Sequence, residues 1–231
     1  RMMDEDRAHR RGAELIAACS QMLNRAFEDL SFELGFNGEK YELILTPEGD
    51  WVKLFELVYF QRRAPREVLE HWNILVGRRP NESAGLQMAG WDISGNDVQV
   101  WTEQLGENSI GLAVYCQPLL PLLREDEDRA WWMLATLTDQ VLGEIPHMRY
   151  IDRFEVLEAP KEGPSIRLSQ LPGHLKDLGL DLSPDPEAYL ECCTAYQMEP
   201  EEDPEADWRL DVFAGSTRCP PLLNGYLQGD S

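Results

Sequence analysis

Arg209, Asp211, Thr217 and Cys219 fall within one C-terminal stretch, WRLDVFAGSTRC, and are the side chains in this sequence that could together serve a reaction. Arg218 lies beside Cys219, and a neighbouring cation lowers a thiol pKa and raises its reactive thiolate fraction. No His stands at a recognisable spacing from Cys219, so a packed or idle cysteine is the competing reading. Upstream, EPEEDPEAD at residues 199–207 gathers carboxylates of the kind that a hard cation takes. It lacks the alternating Asp positions and central Gly of an EF-hand loop, and the mismatch favours a solvated acidic loop.

The remaining reactive types are dispersed. Cys192 and Cys193 could hold a soft metal or form a vicinal bridge. Adjacent positions of a strand point to opposite faces, so small apolar fillers are the plainer reading. His9, His71, His147 and His174 make neither a HExxH nor a Cys/His zinc pattern. Gly49 is followed by Asp50 rather than Lys-Ser, and GxGxxG is absent, so no phosphate loop is expected. Arg62, Arg63, Arg66, Arg78 and Arg79 are the one basic concentration. They could bind an anion or an acidic partner, but in so acidic a chain they are expected to pair with nearby carboxylates on the surface. Neither a cofactor nor a metal is expected.

Composition narrows the function classes. The 231 residues carry 42 acidic against 21 basic side chains, a net charge of −21, which disfavours direct contact with nucleic acid or an anionic membrane. The same charge steers basic partners toward the surface. A hydrophobic fraction of 43% provides enough apolar surface to offset chain entropy, so a folded core is expected. Five cysteines without CxxC spacing fit a reducing compartment. No apolar run is long enough for a membrane span, and the N-terminal stretch lacks a signal-peptide core, so the expected location is cytoplasmic.

The elements that must position these residues centre on residues 41–80. Tyr41–Thr46 reads as a strand, Glu48-Gly49-Asp50 as a turn that caps a helix over 51–63, and 72–79 as a returning strand. Before it, apolar residues at helical spacing over 10–29 predict an amphipathic helix. Alternation over 30–36 predicts a strand joined through Asn37-Gly38. After it come short strands near 86–88 and 91–93, a hairpin pairing 98–102 with 110–116, and a break at Pro118 and Pro121. A helix from Glu125 follows, with Trp131, Trp132, Leu134, Leu137, Val141 and Leu142 on its apolar face, and then a strand from Ile151. This order gives an α+β fold class, a ferredoxin-like split βαβ sandwich with inserted strands on one shared sheet. A linker at 161–165 then separates residues 1–160 from a small C-terminal α+β subdomain, 161–231. That subdomain is expected to hold a short helix at 174–178 and strands at 189–198 and 208–213, the segment 189–198 being open to either strand or helix.

Leu43 to Leu45, Glu48-Gly49, Phe55, Ala64-Pro65 and Trp72–Val76 together resemble a family of bacterial proteins of unknown function. In that family an aliphatic strand, an acidic-Gly turn, a helix with a central Phe, an Ala-Pro step and a Trp-led strand follow one another. The resemblance extends loosely to Phe154, about half the chain. It implies kinship with immunity-type proteins and, more distantly, with the regulator of ribonuclease activity B, a ferredoxin-like protein inhibitor. Residues 208–226 resemble a second bacterial segment, and neither pattern carries a catalytic residue onto this chain. The expectation is a non-enzymatic cytoplasmic binding or regulatory module with an acidic surface for a basic protein partner. The alternative is an enzyme with its site around Arg209, Asp211, Thr217 and Cys219. The oligomeric state is left open.

Overall fold

A computed structural model describes residues 12–27, 30–88, 90–190, 193–198, 208–215 and 225–229. It is a mixed α+β structure, and the chain divides between Arg78 and Arg79 into two compact units.

In the first unit, helix α1 (Gly12–Leu23) precedes strands β1 (Ser31–Phe36) and β2 (Tyr41–Thr46), paired antiparallel from Phe36↔Tyr41 to Ser31↔Thr46. The turn between them holds because Asn37 Oδ1 accepts from the Glu39 and Lys40 amides at 3.0 and 2.9 Å. After β2, Glu48 and Gly49 both take positive φ, and the Asp50 carboxylate accepts from the Val52 and Lys53 amides at 2.8 and 3.2 Å. That cap satisfies donors left unpaired at a helix start. Helix α2 (Trp51–Gln61) follows, burying Leu54, Leu57 and Val58, while Phe55, expected on the apolar stripe, is exposed. Beyond Pro65, a short helix α3 (Arg66–Leu69) leads to β3 (Trp72–Val76), which pairs parallel to β2.

The second unit opens with a hairpin of β4 (Gly85–Met88) and β5 (Trp91–Ser94). Strands β6 (Val98–Gly106) and β7 (Ser109–Cys116) form the expected antiparallel hairpin. Pro118 and Pro121 do not break the chain. Proline's fixed φ suits a first helical turn, and the two lie in a 3-10 turn and in helix α4 (Leu120–Glu125). Asp126 then caps α5 (Glu127–Leu142) by accepting from the Arg129 amide at 3.1 Å, with Glu127 and Asp128 favourably placed in the first turn. Helix α6 (Glu144–Tyr150) and strand β8 (Ile151–Val156), parallel to β7, complete the crossover.

Ala130, Met133, Leu134, Leu137, Val141 and Leu142 of α5 are buried with Val98, Val100, Leu112 and Val114 of the sheet. Fully burying each such side chain contributes about 1.5–3 kcal/mol. Trp131 and Trp132, expected on that face, lie off the stripe at 47% and 39% exposure. Strand β9 (Ile166–Arg167) adds to β6, and helix α7 (Leu171–Asp177) is stopped at Gly179. Helix α8 (Pro186–Leu190) occupies the start of the segment read as strand. Among the described residues of that segment, Cys193–Met198 is strand, β10, which pairs antiparallel with β11 (Trp208–Gly215), itself paired with β12 (Gly225–Gly229).

Two expectations are corrected. The predicted crossovers exist, but their strands do not share a sheet: one sheet runs β1-β2-β3 and the other β8-β7-β6-β9. Neither crossover is split in the ferredoxin-like manner, because β2 hydrogen-bonds directly to β3 and β7 directly to β8. The boundary expected after residue 160 falls inside the second unit. Leu168, Leu171, Leu175 and Leu180 belong to the same apolar core as β6, β7 and α5, so residues 168–180 do not form a separate subdomain.

Gly143 is the backbone pivot between α5 and α6. Its φ is 91°, and a Cβ there would stand 3.2 Å from Pro80 Cδ and 3.3 Å from Pro146 Cδ. Gly143→Ala is expected to destabilise the second unit by about 1–3 kcal/mol, read as a lower urea midpoint at unchanged slope.

Candidate functional site

The C-terminal candidates are reached only in part. Arg209 and Asp211 lie two residues apart on β11, their backbones in register with Gln228 and Tyr226 of β12. Thr217 and Cys219 lie outside the described residues, as do Cys192 and the acidic loop 199–207. The basic concentration does not form one patch. Arg78 Nε donates to Glu33 Oε1 at 2.6 Å, as charge pairing predicts, Arg63 stacks over the Tyr59 ring at 3.4 Å, and Arg79 of the second unit donates to the Pro184 carbonyl at 2.7 Å.

The net charge is unevenly held. Residues 79–231 carry 28 carboxylates against 10 cations, a net −18, whereas residues 1–78 carry 14 against 11, a net −3. Within the second unit, Trp91, Leu122 and the run from Glu125 to Arg129 line a recess of about 700 Å³ at the start of α5. Glu125, Glu127 and Asp128 are exposed there, while Asp126 is committed to the cap and to Arg129 Nε at 3.3 Å. Among the described residues, no group of three or more His, Cys, Asp or Glu is arranged to hold a metal ion. What this arrangement offers is a cluster of solvated carboxylates beside a half-buried indole, suited to a cationic side chain.

The first unit offers an apolar groove of about 440 Å³, lined by Ala18, Cys19, Met22 and Leu23 of α1, by Val68, and by Leu34, Leu43, Trp72 and Ile74 of the sheet. Register explains it: Leu34, Leu43 and Ile74 stand opposite one another across the three strands, and Phe36, Tyr41 and Trp72 form the next row on that face. The rings of that row follow one another at 5.3 and 5.4 Å. Alternation in each strand marks these residues as one face. It gives no sign that a groove is left open along it, because that depends on where α1 lies.

One polar pair escaped the sequence reading altogether. His147 Nδ1 lies 2.5 Å from Asp139 Oδ1, both side chains mostly buried, with the His147 ring 5.9 Å from Phe154. The two are eight residues apart but on different helices, α5 and α6, so the periodicity of a single element does not reveal the pair. The carboxylate can orient the imidazole. Comparison with protein-family models, with curated proteins and with solved structures finds no match for this chain.

Burial makes Cys116 and Cys19 poor nucleophiles. Burial, with a smaller contribution from Asp97 and against a backbone hydrogen bond at Leu119, pushes the Cys116 thiol up to about 11 from 9.0, and burial also raises Cys19. Iodoacetamide at neutral pH is therefore expected to leave Cys116 unmodified until the chain is unfolded. As pH rises from about 9 to about 11, the unfolded thiol loses its proton before the folded one, so the folded state binds more protons and stability falls with pH. Urea titrations across that window should show a loss of up to about 2–3 kcal/mol that Cys116→Ala removes. Rapid alkylation of native Cys116 would contradict the burial argument.

Proposed function

We propose that the chain is a non-enzymatic binding or regulatory module, of the immunity type that the sequence resemblance implies, acting in the bacterial cytoplasm on a basic protein partner. The observation that carries this reading is the concentration of charge: a net −18 on residues 79–231, with Glu125, Glu127 and Asp128 exposed around a recess that holds Trp91. A surface potential of this sign accelerates encounter with a cationic partner and repels acidic competitors. At the recess, an arriving Lys or Arg would meet carboxylates for charge and an indole for cation–π contact, which contributes about 0.5–1 kcal/mol at an exposed site. That no described helix is long and apolar enough to cross a membrane is consistent with such a role.

Affinity capture from a bacterial host, at about 50 mM and about 0.5 M salt, tests the reading. The expected result is one stoichiometric basic protein retained at low salt and released at high salt. The variant combining Glu125→Gln, Glu127→Gln and Asp128→Gln should fail to retain it, while Asp126 and its helix cap are left intact. Equal retention by wild type and variant, or retention indifferent to salt, would overturn the proposal.

A further inference from the structure

Helix α2 and the turns after α1 form a second recess in the first unit, of about 390 Å³, lined by Ala26, Phe27, Phe55, Glu56, Tyr59, Phe60 and Arg63. Its walls are mainly aromatic: the Phe27 and Phe60 rings meet at 5.1 Å and 72°, nearly perpendicular, and Tyr59 is 54% exposed. Ring faces carry negative quadrupole density, so walls at such angles attract a cation from more than one side. Two further observations specify the ligand. Glu56 adds an exposed carboxylate that makes no ion pair among the described residues. The recess also already holds a guanidinium of its own, because the Arg63 Cζ sits 3.4 Å above the Tyr59 ring centre while Arg63 Nη1 reaches the Tyr59 carbonyl at 3.5 Å.

We propose that this recess is a binding site for an arginine side chain of a basic protein segment, and that Arg63 is an internal stand-in which the incoming guanidinium displaces from Tyr59. The inference rests on the basic-partner reading above and adds a second, chemically specific contact to it. Arginine is favoured over lysine because its planar guanidinium can stack on a ring, as Arg63 does here, while also pairing with Glu56. The position of Arg63 makes the site self-limiting: ligand and Arg63 compete for one ring face, so removing Arg63 strengthens binding instead of weakening it. An anion site would behave in the opposite way, since Arg63 would be its principal contact.

The test uses the full chain with Nα-acetyl-arginine amide as probe and Nα-acetyl-citrulline amide, its uncharged near-isostere, as control, followed by NMR of the aromatic side chains. Saturable shifts at Tyr59 and Phe60 are expected with the arginine probe and not with citrulline. Tyr59→Leu, which keeps apolar bulk at an exposed position, should weaken binding roughly two- to fivefold, and Arg63→Gln should tighten it by a similar factor. The glutamine variant at 125, 127 and 128 should leave this affinity unchanged, which separates failure of the recess from failure of the acidic surface on residues 79–231. Shifts spread evenly over the aromatic side chains of the whole chain, unchanged binding by Tyr59→Leu, or weaker binding by Arg63→Gln would each overturn the assignment.

Discussion

A β-strand has two hydrogen-bonding edges, and in this chain the pivotal strands have both of theirs filled by near neighbours. β2 is held between β1, reached through the Asn37 turn, and β3, reached through α2. β7 is held between β6 and β8 in the same way. Once both edges are satisfied, neither strand has donors or acceptors left for the other, so β2 and β7 cannot pair directly. Each crossover is completed within its own sheet, β1-β2-β3 in the first unit and β8-β7-β6-β9 in the second.

That division matters for function because it sorts the chemistry. The first unit is almost balanced in charge and carries its recesses on carbon and aromatic surfaces, seen in the row Phe36, Tyr41 and Trp72 and in the ring pair Phe27 and Phe60. The second holds most of the excess carboxylates in its sequence and, among its described residues, a well-buried core drawn from Ala84 to Leu180. On the proposed reading, long-range attraction and short-range ring contact would fall to different parts of the chain, one speeding encounter with a cationic partner and the other discriminating among partners.

The sequence disclosed local structure well and its assembly poorly. Asp50, Gly49, the Asn37-Gly38 turn and Gly143 fixed where α2, the first hairpin and α5 begin or end, since capping and positive φ act within a few residues. The hairpin read over 98–102 and 110–116 lies within β6 and β7, with Val98 and Val100 buried. Sheet membership was not legible, because the pattern that announces β2 and β7 is the same whether their free edges meet or are covered by neighbours. Periodicity also assigned Trp131 and Trp132 to the core on composition, although the stripe of Ala130, Leu134, Leu137 and Val141 already fills that face. The candidate recesses were hidden for a related reason. Tyr59 and Arg63 are one helical turn apart and legible as a pair, but Phe27 joins them only through packing of the chain after α1.

Amide hydrogen exchange along the two pivotal strands examines this account at its base. If β2 and β7 are each flanked on both sides, consecutive amides of Leu43, Ile44 and Leu45, and of Leu112, Ala113 and Val114, should all exchange slowly, because donors that point either way are bonded. A pattern in which every second amide of either strand exchanges at the rate of an open edge would show that a flanking strand is missing, and would contradict the division into two separately completed sheets.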